Sequence, residues 1–265
     1  MLLLGCGGTG SEVLFGLAKL HYVMRATGHP EGLNVVVVDG DTVSPSNIGR
    51  QPFCQSDIGV HKSLALTQRV NLHFGLRFEA HPVYLKDAKQ LLNKDFDLIL
   101  TCVDKAAIRI NLAKTFRNSY GDRDTLWVDF GNSATTAQVV LGHATKYAPD
   151  EGGLRLPNVY DLYPELTTVK DDQEPSCSVA EALKHQDLMV NRFTADCGLQ
   201  LINRVFRHGS IDYHGAFIDV GRLSIQPMRI DPMSWASMGY VPKTETSETT
   251  GNNRRKHHER QKQGA

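Results

Sequence analysis

The chain has 265 residues, of which 41% are hydrophobic and 22% charged, enough apolar material for one large domain with a buried core. Lysine plus arginine and aspartate plus glutamate both number 29, so the net charge gives no reason to expect nucleic acid or an anionic membrane as the main ligand. No apolar run approaches the ~20 residues of a membrane span. The five cysteines are scattered without a Cys-x-x-Cys pair, which argues against a disulfide framework. We therefore expect a cytoplasmic protein.

The first 145 residues alternate strand-like and helix-like segments. The all-apolar, β-branched run at 35–38 is typical of a strand covered on both faces, and Val13, Leu14, Leu17 and Ala18 repeat with helical spacing. Strands are predicted at residues 2–4, 35–38, 78–85, 97–103 and 126–129, and helices at 11–25, 59–74 and 106–116. Strands that alternate with helices predict a Rossmann-like, doubly wound α/β fold with a mainly parallel sheet.

The alternation changes from about Ser133, and the later elements predict a C-terminal antiparallel extension of the sheet. They are a hairpin or meander strand at 136–141, an extended or mobile segment at 147–174, a mostly helical stretch at 179–207 and strands at 216–220 and 222–228. The tail from Lys243 has almost no apolar residues and should be disordered. The predicted organisation is a nucleotide-binding core (1–145), an acidic flexible crossover segment (146–178), a completion of the same domain (179–242) and the tail (243–265).

The glycine-rich sequence Gly5-Cys6-Gly7-Gly8-Thr9-Gly10 stands directly after the first predicted strand. The spacing Gly5-x-Gly7-x-x-Gly10 fits the dinucleotide fingerprint, in which glycines allow a tight turn, a close approach of backbone to phosphate and helix packing. Backbone N–H groups at the start of the following helix would then face a phosphate. The loop predicts a nucleotide site without choosing between nucleotides.

Asp39 ends the second predicted strand, where a carboxylate can accept hydrogen bonds from both hydroxyls of a ribose. It lies further downstream than the usual ~20 residues because the segment 21–33 lengthens the crossover. Asp39 and Asp41 also fit ordinary turn chemistry after a strand. Given the glycine loop, we interpret Asp39 as the ribose-binding residue, with Asp41 beside it in the binding loop.

Arg50 and Lys62 favour a nucleoside triphosphate over a dinucleotide. An arginine fork can clamp two phosphate oxygens, and a lysine supplies a point charge on a flexible stem. Asn47 and Gln51 add neutral hydrogen-bonding groups to the same loop. A surface loop with solvated charges is the alternative, but it leaves this clustering after the ribose strand unexplained.

Asp104 follows the apolar run 98–103, at a predicted carboxyl end of the sheet. Open α/β sheets bind ligands at this end, and a carboxylate there can hold Mg²⁺ against the phosphates. Capping of the following helix is a competing role for Asp104, and the two roles are compatible.

Four motifs carry a resemblance to a known superfamily. They are G-x-G-G-x-G, D-x-D-x-V-x-x-S-N-x-x-R-Q, D-x-G-x-x-K and C-x-D, at residues 5–10, 39–51, 57–62 and 102–104. In this order they resemble the ThiF/MoeB/ubiquitin-activating superfamily over roughly residues 1–145. Three later segments are similar to the ThiF-family protein of the PRTRC plasmid-borne gene system, namely 129–133, 175–183 and 225–227.

The resemblance implies that residues 1–145 are an adenylation core, in which ATP and the C-terminal carboxylate of a small ubiquitin-like protein form an acyl-adenylate and pyrophosphate. It implies ribose binding by Asp39, phosphate binding by Asn47, Arg50 and Lys62, and Mg²⁺ binding or transition-state stabilisation by Asp104. A homodimer and a conjugating-enzyme-like partner are also implied. The superfamily's paired Cys-x-x-Cys zinc ligands are missing, so no zinc is expected, and its usual Asp-Asn pair is Asp104-Lys105 here.

Cys177 lies between an acidic stretch and a predicted helix. A thiolate near a helix N-terminus has a lowered pKa and can capture an activated acyl group, whereas a half-buried residue that caps the helix is an equal alternative. Two other functions stay open. An NAD(P)-dependent oxidoreductase explains the glycines and Asp39 but gives the two cations and Asp104 no shared task. A non-catalytic, nucleotide-binding scaffold of a plasmid-encoded complex is the second.

Overall fold

The computed structural model describes residues 1–85, 96–117, 124–146, 153–168 and 186–242. These residues contain eight strands, which are β1 (Leu2–Leu4), β2 (Val36–Val38), β3 (Glu79–His81), β4 (Leu98–Thr101), β5 (Leu126–Asn132), β6 (Thr136–His143), β7 (Tyr213–Asp219) and β8 (Ser224–Arg229). All eight join one sheet in the order β3-β2-β1-β4-β5-β6-β7-β8.

The sheet changes direction once along its width. The pairs from β3 through β2, β1 and β4 to β5 are parallel, whereas β5, β6, β7 and β8 pair antiparallel. Every residue of β1, β2 and β4 is buried, as expected for parallel strands covered on both faces. The predicted α/β fold, a mainly parallel Rossmann-like sheet with a C-terminal antiparallel extension, is confirmed.

The helices of the described residues are α1 (Gly8–Ala26), α2 (Lys62–Phe74), α3 (Ala106–Arg117), α4 (Val159–Leu162), α5 (Val190–His208) and α6 (Pro232–Ser237). Helix α1 packs beside α2 and α5, whereas α3 packs against α4 and a 3-10 turn at Pro164–Thr167. Helices α2 and α5 each end at a left-handed glycine, Gly75 and Gly209. No helix in the described ranges is long and apolar enough to cross a membrane.

Some predicted boundaries differ from the structure. The strand predicted at 78–85 is limited to Glu79–His81, and the last strand starts at Ser224 because Leu223 has a left-handed φ of 52°. Helix α1 begins at Gly8 rather than at residue 11, so part of the glycine loop forms its first turn. Within the segment expected to be extended, the structure forms α4 and the turn after it. Helix α6 was not predicted.

Strands β3 and β8 are the two edges of the sheet. Strand β3 has only three residues, none of them buried. Strand β8 carries Pro227 opposite Ala216 of β7. Neither edge therefore presents a long regular row of free backbone N–H groups, because one is short and the other is interrupted by a residue that has no N–H.

Candidate functional site

The predicted site residues collect at the carboxyl ends of β1, β2 and β4. The glycine loop follows β1, Asp39 follows β2, and Asp104 lies between β4 and α3. Strand β1 lies between β2 and β4. The chain therefore continues from β1 to a strand on one side of it, β2, and later adds β4 on its other side. This is the topological switch point, where open α/β sheets form a ligand crevice.

The glycine loop combines one crowded side with one open side. A Cβ on Gly10 would overlap the carbonyl oxygen of Gly5, so only glycine fits there, whereas a Cβ on Gly7 would meet nothing within 4 Å. Gly7 is the N-cap of α1 and supplies no side-chain cap for the first N–H groups of the helix. The N-terminus of α1 is therefore open on the side of Gly7, and helix N-termini with free N–H groups are sites where proteins bind phosphate.

Asp39 is held by the backbone of the loops on either side of it. Its Oδ2 accepts from the N–H of Cys6 at 2.5 Å, and its Oδ1 accepts from the N–H of Asp41 at 2.8 Å. Burial raises the pKa of Asp39, and the two backbone hydrogen bonds and Lys62 oppose that rise. The carboxylate is thus fixed beside the glycine loop, where the ribose of a bound nucleotide would lie.

Lys62, the first residue of α2, is paired with Asp41. Its Nζ lies 3.1 Å from Oδ2 of Asp41, while the hydroxyl of Tyr84 donates to Oδ1 at 2.9 Å. Burial acts to raise the pKa of Asp41, but Lys62 and Tyr84 outweigh it and the pKa is lowered. Asp41 therefore positions the ammonium group of Lys62, a role that the sequence did not indicate.

Asn47 and Gln51 lie in the loop that begins with a 3-10 turn at Pro45–Asn47. The amide oxygen of Asn47 accepts from the backbone N–H of Ser44 at 2.9 Å, so this side chain shapes the loop. The backbone N–H of Gln51 donates to the carbonyl of Asn47 at 3.0 Å. The side-chain Oε1 of Gln51 is buried and has no hydrogen-bond partner. A buried polar atom without a partner is costly unless a ligand or water reaches it.

Arg50 also has a buried polar atom without a hydrogen-bond partner, and this atom belongs to a charged group. One Nη1 donor reaches Oε1 of Gln186 at 3.4 Å, but the Nε of Arg50 is buried and has no partner. Burial lowers the pKa of the Arg50 guanidinium, which nevertheless stays charged at neutral pH. The loop thus holds a partly desolvated cation with one donor that lacks a partner.

Asp104 is exposed at the end of β4. The described residues contain no group of three or more His, Cys, Asp or Glu side chains that could hold a metal ion by themselves. Mg²⁺ in nucleotide enzymes is usually held by one or two carboxylates together with the substrate's phosphates. One exposed carboxylate at the crevice fits that donor set, so Asp104 is the residue that would hold Mg²⁺ with a bound triphosphate.

The cysteines of the described residues give no activated thiol at the crevice. Burial raises the pKa of Cys6 and of Cys102 well above the ordinary range, so both stay protonated at neutral pH. Cys54 is exposed, and its thiol donates to Asp57 at 3.2 Å. Cys177, the predicted nucleophile, lies outside the described residues.

Four polar residues at the crevice were missed by the sequence analysis. Their side chains form one hydrogen-bonded network, and they are Thr9, Asn132, Gln186 and Asn191. Thr9 stands inside the glycine motif, and the other three lie more than 120 residues further along the chain. No local pattern marks them, because only the fold brings their elements together.

A doubly wound sheet with a glycine-rich loop at a helix N-terminus and a strand-end carboxylate at the switch point is the architecture of the Rossmann-like class. The chain belongs to the ThiF family, whose sequence model matches residues 1–233. The resemblance at the superfamily level is thereby confirmed.

The chain is similar to one curated relative, the catalytic subunit of the NEDD8-activating enzyme E1 of Saccharomyces cerevisiae. The two are 36% identical over 106 residues, which is 39% of this chain and 32% of the yeast protein. The matched part thus spans about a third of that relative's length.

Two solved structures share the fold. Escherichia coli MccB, crystallised with ATP, has a TM-score of 0.60 at 16% identity, covering 92% of this chain and 65% of the MccB chain. PaaA has a TM-score of 0.61 at 14% identity, covering 87% of this chain and 72% of its own. At these identities the likeness shows the fold alone.

Proposed function

We propose that the protein is an adenylyltransferase that uses ATP to activate a carboxylate. The observation that carries the proposal is the half-buried guanidinium group of Arg50, in the loop after Asp39, whose Nε has no hydrogen-bond partner. Leaving such atoms unsatisfied costs stability, and an anion in the adjoining crevice would satisfy the arginine. The ThiF family match supports the same function.

In this proposal each part of the crevice has one task. Asp39 binds the ribose, and the N-terminus of α1, through Gly5, Gly7, Gly8 and Gly10, takes a phosphate. Asn47, Arg50, Gln51 and Lys62 bind the remaining phosphate oxygens. Asp41 holds Lys62 in place at 3.1 Å. A dinucleotide would use Asp39 and the glycines but would leave this cluster without a role.

The reaction is a nucleophilic displacement at the α-phosphorus of ATP. A carboxylate oxygen of the substrate bonds to that phosphorus, the bond to the β-phosphate oxygen breaks, and pyrophosphate leaves with its electron pair. The carboxylate attacks as an anion, so no proton needs to be removed, and the protein contributes position and charge. Mg²⁺ held by Asp104 would neutralise the charge that develops on the leaving pyrophosphate.

We propose the C-terminus of a small ubiquitin-like protein as the carboxylate substrate. The E1 relative is named as an enzyme that activates NEDD8, and MccB is a biosynthetic enzyme crystallised with N-formylated MccA. The acyl group would then pass to the thiolate of Cys177, with AMP as the leaving group, or directly to an acceptor. A homodimer, a conjugating-enzyme-like partner and a place in the PRTRC gene system belong to the same proposal.

Calorimetric titration with Mg·ATP and with NAD⁺ tests the nucleotide, and ATP–pyrophosphate exchange tests the chemistry. We expect Mg·ATP to bind much more tightly than NAD⁺, and exchange to require a ubiquitin-like protein encoded beside this gene. Tight NAD⁺ binding without ATP binding would instead support the oxidoreductase. ATP binding without exchange, for every such protein tried, would support the scaffold.

Incubation of the protein with ATP and the ubiquitin-like protein also tests the transfer of the acyl group to a cysteine. We expect a reductant-sensitive adduct on a gel run without reductant, formed by the wild type and lost in Cys177→Ala while exchange continues. An adduct that persists in Cys177→Ala would place the nucleophile elsewhere, with the exposed Cys54 as the next candidate. Robust exchange with no adduct in the wild type would indicate direct transfer from the adenylate.

A further inference from the structure

Three side-chain amides at the crevice form a closed ring of hydrogen bonds. Nδ2 of Asn132 donates to Oδ1 of Asn191 at 2.9 Å, Nδ2 of Asn191 donates to Oε1 of Gln186 at 3.1 Å, and Nε2 of Gln186 donates to Oδ1 of Asn132 at 2.9 Å. Each amide therefore donates to the next and accepts from the one before. Turning any one of them alone would oppose like groups at two contacts, so the orientations of the three amides are coupled.

The ring is built into the start of α1. The hydroxyl of Thr9 donates to Oδ1 of Asn191 at 2.9 Å and accepts from Nδ2 of Asn132 at 2.8 Å. A Cβ on Gly8 would lie 2.6 Å from the side-chain amide of Asn191, so glycine is required where the ring meets the glycine loop. The ring thus joins the end of β5 and the start of α5 to the proposed phosphate site.

Gln186 is the member of the ring that reaches Arg50. Because Nε2 of Gln186 is committed to Asn132, its Oε1 is the atom turned towards Arg50, and it lies 3.4 Å from Nη1. The guanidinium group is planar, and its two-pronged edges are fixed relative to each other. A contact at Nη1 therefore restrains the orientation of the whole group, including the buried Nε, which has no hydrogen-bond partner.

We propose that Gln186, oriented by the amide ring, is a positioning residue that holds the guanidinium group of Arg50 in the orientation that binds a phosphate of the bound nucleotide. The inference rests on the proposed nucleotide site and does not require the adenylation chemistry. A phosphate takes two parallel hydrogen bonds from an arginine edge only when that edge is correctly aimed. Gln186 orients the guanidinium group of Arg50 and does not itself touch the ligand.

Two substitutions separate positioning from simple support of the fold. Gln186→Glu keeps oxygens for Arg50 and Asn191 but loses the donation to Asn132, whereas Gln186→Leu loses every contact. Gln200→Leu, an exposed glutamine on α5, is the matched control. The measurements are the Kd for Mg·ATP by calorimetry and thermal unfolding of each variant. Should Gln186→Leu not fold, Gln186→Ala replaces it.

We expect Gln186→Leu to weaken Mg·ATP binding about tenfold, the loss of one hydrogen bond to a charged group. Gln186→Glu should weaken binding by about threefold, because it keeps an acceptor for Arg50 but loses the donation to Asn132 that orients the side chain, and Gln200→Leu should be unchanged. In an Arg50→Ala background, Gln186→Leu should have no further effect, because the two residues act through one interaction.

Three results would overturn the inference. They are an unchanged affinity in Gln186→Leu, an equal loss in Gln186→Glu, and the same loss with or without Arg50. A wild type that binds no ATP would overturn both this inference and the proposed function. ATP binding with the expected coupling but without pyrophosphate exchange would overturn adenylation alone.

Discussion

Two polar clusters of the same sheet differ in how completely their hydrogen bonds are satisfied. At the carboxyl ends of the parallel strands, Arg50 and Gln51 each keep a buried atom without a partner. Among the antiparallel strands, His214 is fully buried, with both ring nitrogens used by Trp235 and by the carbonyl of Leu141, each at 2.8 Å. The closed cluster, around His214, has its hydrogen bonds satisfied and contributes stability. The open cluster, which is Arg50 and Gln51 with the crevice residues Asp41, Lys62 and Asp104, keeps unpaired atoms, which cost stability unless a ligand or water reaches them.

Substitution at the open cluster should remove activity and leave stability intact. Asp104→Ala should abolish pyrophosphate exchange, because the carboxylate proposed to hold Mg²⁺ is lost. Arg50→Ala should cost ~2–4 kcal/mol of transition-state stabilisation. The midpoint of thermal unfolding should barely move in Asp104→Ala, since its side chain is exposed. Exchange assays and thermal unfolding measure the two effects.

Asp212→Ala serves as the control, because this aspartate is 88% exposed and lies just before β7. It should change neither exchange nor stability. Wild-type exchange in Asp104→Ala would show that the role assigned to Asp104 is wrong, and an equal loss in Asp212→Ala would show that the assay does not report on the site.

The closed cluster should make stability depend on pH. Burial lowers the pKa of His214 to about 4, from an ordinary value near 6.5 in the unfolded chain. The unfolded state therefore binds a proton first as pH falls. The stability is fully present above about pH 6.5 and declines towards pH 4, by up to about 3 kcal/mol. Urea unfolding at several pH values measures this decline.

His214→Gln keeps an acceptor for Trp235 and a donor for the carbonyl of Leu141, so it should fold and show a smaller decline over the same pH range. His29→Gln, at an exposed position, should keep the wild-type decline. If His214→Gln and the wild type decline equally, another group is responsible for the pH dependence.

The smallest expected effect is at the ion pair between Asp41 and Lys62. The side chain of Asp41 is 53% exposed and that of Lys62 is 11% exposed, so solvent screens the pair, and Asp41→Ala should cost less than about 1 kcal/mol of stability. Because the pKa of Asp41 is lowered, the contribution is present above about pH 3.8 and is lost as pH falls below it. Chemical unfolding at pH 7 and at low pH measures this difference, and a loss well above 1 kcal/mol would show that the pair is not screened.

The fold and the elements around the site were predictable because their signals are local. The apolar run at 35–38, the spacing of the glycines and the order of the motifs all lie within short stretches of sequence. The pairing of Lys62 with Asp41 and the contact of Gln186 with Arg50 were not predictable, because they depend on side-chain positions set by the folded loops. The start of α1 was placed too late for a different reason. Gly8 and Gly10 are poor helix formers, and packing overrides that preference here.

The two blunted edges of the sheet limit how copies of the chain can associate. A regular edge strand can template the addition of a strand from a neighbouring molecule, which is the usual first step towards aggregates and fibres. Here β3 offers only three residues and β8 is interrupted by Pro227. Growth of the sheet from one molecule into the next is therefore disfavoured at the two edge strands that the described residues form.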